Sequence, residues 1–99
     1  MNYMIKPDAR LSIKRLPLEC IQVCEYQQRY PNMVLMYIQK LLDHPGKYAG
    51  LLNVTPSDTY PGLYVLLDGY HRFAASIIAG RKDVLCVVIE EEKGNATHI

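Results

Sequence analysis

No stretch of this sequence is apolar for long enough to cross a bilayer, which takes about 20 consecutive residues. Its first residues, Met1-Asn2-Tyr3-Met4-Ile5-Lys6-Pro7-Asp8, lack the apolar segment of a secretory signal. These two absences predict a cytoplasmic protein with no membrane partner. Excess charge is missing as well, because the net charge is only +1. Bulk electrostatics therefore give no reason to expect nucleic acid or a lipid surface as partner. Basic residues gather only locally, at Arg10, Lys14, Arg15 and at Arg81, Lys82. Such clusters read first as solvated faces. Cysteine is scarce: there are 3, an odd number that fits a reducing compartment better than a disulfide framework. Cys20 and Cys24 lack the tighter pairing and the fourth ligand of a zinc site, and Cys86 lies in an apolar run. All are read as small packing residues. Repeats, low-complexity segments and linkers are absent too, which leaves one domain in 99 residues.

A chain of this size buries roughly 60–65% of the surface it exposes when unfolded. That suffices for one core but not for a large internal cavity, so a ligand site is expected in a surface cleft. The composition, 49% hydrophobic and 21% charged, is that of an ordinary globular domain. Residues 1–10 carry no periodicity and read as an arm, residues 11–90 as the domain, and residues 91–99 as a polar tail.

Leu11, Ile13 and Leu16 alternate with polar residues and predict a half-buried strand stopped by Pro17. Leu18 to Ile21 predicts one turn that plugs the core, and Gln22 to Arg29 a polar loop. Pro31-Asn32 opens a helix whose apolar stripe is Val34, Leu35, Ile38, Leu41 and Leu42. His44-Pro45-Gly46 closes it. Leu51–Thr55 and Leu63–Leu67 predict a hairpin joined by a loop of turn formers. A helix from about His71 to Ala79 is expected to bury Phe73, Ala74, Ile77 and Ile78 and to end at Gly80. Val84–Ile89 is apolar enough for a central strand. The order strand, helix, strand, strand, helix, strand predicts an α+β domain with a small mixed four-stranded sheet.

The chemistry concentrates at the junction Asp68-Gly69-Tyr70-His71-Arg72, between the third strand and the second helix. A helix start offers backbone N–H groups and a positive partial charge. Gly69 lets an anion approach the backbone, and His71 and Arg72 add donors. Together they make a phosphate cradle. Asp68 has three roles open to it: ligand to a divalent metal, orienter of His71, or base. Spacing alone also allows a plainer junction, in which Asp68 caps the helix and the others are surface residues.

The run from Leu67 to Ala75, followed by Ala79-Gly80 and a valine-rich strand, resembles the signature segment of the ParB/sulfiredoxin superfamily. Residues 11–90 follow that family's order of elements. The resemblance implies a ParB/sulfiredoxin-like fold that binds nucleotide phosphates: CTP in partition ParB proteins, ATP in sulfiredoxins, ADP in a free-serine-kinase branch. It implies phosphate-binding positions at Gly69, His71 and Arg72; the nucleotide site expected here is Gly69, Tyr70, His71 and Arg72, with Mg²⁺ at Asp68 and with Asp68 and Glu25 as catalytic candidates. Glu25 falls near the glutamate proposed as base in the serine-kinase branch, with Cys24 before it in place of the usual histidine. Sulfiredoxins carry their catalytic cysteine where this sequence has Tyr70, so sulfinic acid reduction is not expected. Partition ParB proteins continue into a DNA reader and a dimerisation domain. These residues contain neither, so clamping of DNA by them alone is not expected. What the resemblance implies is a nucleotide-phosphate-binding domain, with phosphotransfer or nucleotide hydrolysis as its enzymatic form. A DNA-associated accessory of plasmid or phage type and a non-catalytic interaction module presenting Tyr26, Tyr30, Tyr60 and Tyr70 are the alternatives.

Overall fold

The structure is a computed structural model that describes residues 9–23 and 30–91. Strand β1 (Arg10–Pro17) leads through a single 3-10 turn, Leu18–Cys20, into a short strand β2 (Ile21–Val23). Helix α1 (Pro31–Asp43) follows, then the hairpin β3 (Leu52–Pro56) and β4 (Tyr64–Asp68). Helix α2 (Tyr70–Ile78) and strand β5 (Asp83–Glu90) complete the order. The strands form one five-stranded sheet in the order β1-β5-β3-β4-β2. Strand β5 pairs antiparallel with β1 and parallel with β3, while β4 pairs antiparallel with β3 and parallel with β2. The sheet is therefore mixed, as expected, but five-stranded rather than four-stranded. The strand missing from the sequence reading is β2. Its three residues are too few to show an alternation, and its partner β4 lies far along the chain (Ile21↔Tyr64, Val23↔Leu66).

The core lies on the helix-covered side of the sheet. It is built from Leu16, Ile21, Leu52, Val54, Leu66, Phe73, Val84, Cys86 and Val88. The alternate residues Val84, Cys86 and Val88 of β5 all enter it, as the two-residue period of a strand requires. β5 and β4 are both interior strands, in keeping with their apolar composition.

Three burial expectations need correction. Leu11 and Ile13 are exposed and only Leu16 of β1 is buried, because β1 has a single neighbour, β5, among the described strands. In α1 only Leu41 is fully buried, and Leu35 and Leu42 are exposed. In α2 the buried residues are Phe73, Ala75 and Ser76, while Ile77 and Ile78 are exposed. Ser76 is tolerated inside because its hydroxyl donates to the Arg72 carbonyl one turn back, at 2.8 Å. Each helix thus turns an apolar stripe outward.

The two helices run parallel. At one end the Tyr30 N–H donates to His71 Nε2 at 2.9 Å. At the other, the Arg81 guanidinium donates to the carbonyls of Leu41 and His44 at 3.3 and 3.4 Å. A cation there also meets the negative end of the α1 dipole. Both helix N-termini consequently converge beside the end of β4.

Candidate functional site

Strand β4 delivers the junction through a bulge. Asn53 pairs with Asp68 but Val54 pairs with Leu66, so Leu67 is an extra residue on β4. A bulge bends and twists its strand locally, and this one re-aims Asp68 just before α2 begins. Asp68 Oδ1 then accepts the N–H of Gly69 at 2.9 Å. Among the described residues no side-chain hydrogen bond caps α2, so the plainer role of Asp68 as a helix cap is not the one observed. Gly69 has φ of 106°, a left-handed conformation open to glycine and costly to other residues. A Cβ there would also lie 3.2 Å from Leu52 Cγ, so both conformation and space demand glycine. The first intrahelical bond is Phe73 N–H to Gly69 O, at 2.9 Å. The amides of residues 70–72 belong to the helix start, where no intrahelical acceptor exists.

Asp68, Gly69, His71 and Arg72 line one cleft of about 200 Å³ with Met33 and Tyr37 of α1. Arg72 is held on three sides. Its Nη1 donates to the Leu51 carbonyl at 3.3 Å, and its Cζ lies 5.4 Å from the centre of the Tyr37 ring. Gly50, at φ of 137°, leaves the room it occupies: a Cβ there would come within 3.1 Å of Arg72 Nε. That Nε is shielded from solvent and has no partner among the described residues. A buried donor without an acceptor is destabilising by about 1–3 kcal/mol. Such an atom at the start of a helix fits a site built for an anion.

His71 has a double connection. Its ring stacks on Tyr30, with centroids 5.5 Å apart and planes 25° apart, and meets the Tyr70 ring edge-on at 5.7 Å. Because Nε2 accepts from Tyr30 N–H, the neutral ring carries its proton on Nδ1. Nδ1–H is therefore the donor that His71 offers a ligand.

Tyr70 lies apart from the cleft. It packs against the core and lines an apolar groove between α1 and α2. Glu25, the second catalytic candidate, and Cys24 lie outside the described residues. Tyr37, Met33, Gly50 and Leu51 are components that the sequence reading missed. Met33 and Tyr37 are four apart on one helix face, a spacing that would have paired them once the cleft was located. Gly50 stands two residues before β3, but nothing in its neighbours shows that an arginine 22 positions onward fills the space. Cys86 is buried and its thiol is pushed up to about 11 by that burial, in line with a packing residue. Among the described residues no three His, Cys, Asp or Glu side chains gather as a metal site, and no helix is long and apolar enough to cross a membrane.

No known family model matches the chain, and no curated protein matches it. Solved structures do, and they show that the chain has the fold of the ParB/sulfiredoxin superfamily. One is the C-terminally truncated chromosome-partitioning protein ParB from Caulobacter crescentus complexed with CTP-γ-S. It has a TM-score of 0.64 and 23% identity over 86% of this chain and 47% of that one. Another is sulfiredoxin from Arabidopsis thaliana, with a TM-score of 0.63 and 25% identity over 84% of this chain and 86% of that one. A third is a free serine kinase mutant in complex with AMP, with a TM-score of 0.65 and 17% identity over 77% of this chain and 30% of that one. The chain thus spans most of the sulfiredoxin but under half of the ParB chain and under a third of the kinase chain.

Proposed function

We propose that this chain binds the phosphates of a nucleotide in the cleft at the start of α2. The observation that carries this is Arg72, a cleft-lining guanidinium whose buried Nε has no acceptor among the described residues. Arg72 would hold phosphate oxygens by charge-assisted hydrogen bonds. The amides at the start of α2 and His71 Nδ1–H would supply further donors. Support also comes from three solved neighbours, whose structures hold CTP-γ-S, AMP and ADP.

Asp68 suits Mg²⁺ as a partial ligand set. One of its oxygens is engaged by Gly69 and it is exposed. Mg²⁺ beside phosphates commonly takes one or two carboxylates and keeps several waters. The ion would neutralise phosphate charge, and Asp68 would hold it there. Phosphoryl transfer depends mostly on positioning and charge neutralisation. A phosphotransferase or hydrolase is therefore the enzymatic form of this proposal, with Glu25 as its candidate base.

Calorimetry with ATP, ADP and CTP in the presence of Mg²⁺ tests the site. Wild type is expected to bind at least one of them in the micromolar to millimolar range, and Arg72→Ala to weaken it about tenfold or more. Absence of heat at millimolar nucleotide would sink the proposal. Turnover is read separately, as phosphate release lost in Asp68→Asn and Glu25→Gln.

A DNA-associated role is the second reading. Lys14 and Arg15 are exposed near the end of β1, and Leu18 N–H bonds the carbonyl of exposed Lys82, which brings these cations to one end of the sheet. A second ParB structure of this fold is complexed to its centromeric parS site. A gel shift that weakens steeply with salt would support this role, and its absence at low salt would dismiss it.

A further inference from the structure

Phosphate binding makes no use of the groove between the two helices. Val34, Leu35 and Ile38 of α1 face Tyr70, Ala74 and Ile78 of α2 across it, and among the described residues its lining carries no charged side chain. Leu35 is 63% exposed, Leu42 61% and Ile78 64%. With Pro31 and Tyr30, also exposed on this face, they leave roughly 500 Å² of apolar surface in water, near the upper end of what a monomer ordinarily exposes. We propose that this face is the interface with a second copy of the chain, related by a two-fold axis that sets one α1 antiparallel to the other.

The order of residues in α1 supports this occupant. Its outward stripe is Pro31, Leu35, Ile38 and Leu42, with spacings of four, three and four. That series is the same read from either end. A two-fold axis at its midpoint therefore sets Pro31 of one copy opposite Leu42 of the other, and Leu35 opposite Ile38. Every stripe position then meets an apolar residue, which is the self-complementarity a two-fold interface requires. Charge agrees with the same arrangement. The flanks nearest the stripe are Asn32 and Gln39, and the helix has only two charged residues, Lys40 and Asp43. The axis carries Asp43 toward the first turn of the opposing α1, the positive end of its dipole, and opposes no like charges. Shape agrees too, because a ridge of leucines on a helix is what a groove between two helices accepts. Two such patches remove roughly 1,000 Å² from water, the threshold of a specific interface. Nucleotide is not required for any of these contacts.

Sedimentation of the whole chain across the micromolar range tests the proposal. Wild type is expected at twice the monomer mass. Leu35→Glu, at an exposed position on which the core does not depend, is expected to raise the dissociation constant at least about a hundredfold while keeping the wild-type circular dichroism spectrum. Ile13→Glu, on exposed β1, is expected to leave the dimer intact. A wild type that is monomeric throughout, a dimer that survives Leu35→Glu, or one that only Ile13→Glu dissociates would each overturn it.

Discussion

Gly69 is where conformation and space act on one residue. A left-handed backbone costs an L-residue about 1–2 kcal/mol, and the added Cβ would press on Leu52. Gly69→Ala is expected to lower unfolding stability by about 1–3 kcal/mol in urea titration. Gly46→Ala, in open space, is the control and should move it far less. His71 is the other residue with two duties, because it offers Nδ1–H to a ligand and accepts the amide of Tyr30. His71→Ala is expected to cost about 0.5–1.5 kcal/mol and to speed amide exchange in the first turn of α1. A purely ligand-binding histidine would leave that exchange unchanged.

The elements are fastened to each other at both ends, and the second fastening falls to a residue that composition suggested was a solvated cation. Arg81 is half-buried and donates to the Leu41 and His44 carbonyls at the end of α1. Arg81→Met keeps much of the stem and removes the donors. It is expected to cost about 1 kcal/mol and to raise exchange in the last turn of α1, with the first turn unaffected. The limits of these elements were legible from local chemistry. Pro31 opens α1 and Gly80, at φ of 78°, follows the end of α2, both as their residue types require. Which face each helix buries was not legible. Apolar residues lie on more than one side of both helices, so periodicity alone did not show that Leu35, Leu42, Ile77 and Ile78 point outward.

For the molecule as a whole, burial of Cys86 links the core to pH. Its thiol stands at about 11 in the fold against 9.0 ordinarily. Above about pH 9 the unfolded chain releases a proton that the folded chain retains. The contribution of this group is therefore fully present below pH 9 and is lost as pH rises through 11. Tyr48 acts in the same direction, its phenol raised first by the hydrogen bond to Asp83 and then by burial. Urea midpoints are expected to fall between pH 8 and pH 10.5, and Cys86→Val to reduce that fall.

By itself the sequence determined the mixed α+β class, the two helices, four of the five strands and the junction at Asp68–Arg72. All of these rest on local rules: the period of two or 3.6, the proline that starts a helix, the glycine that ends one. Tertiary structure alone decided that α1 lends Met33 and Tyr37 to the cleft, that Gly50 makes room for Arg72, and that His71 holds the start of α1. The reason is physical. Each of these contacts joins residues far apart in the chain, and a sequence pattern reports only what neighbours within a few turns impose on one another. The parallel packing of two helices over one face of the sheet brings the distant groups to the same place.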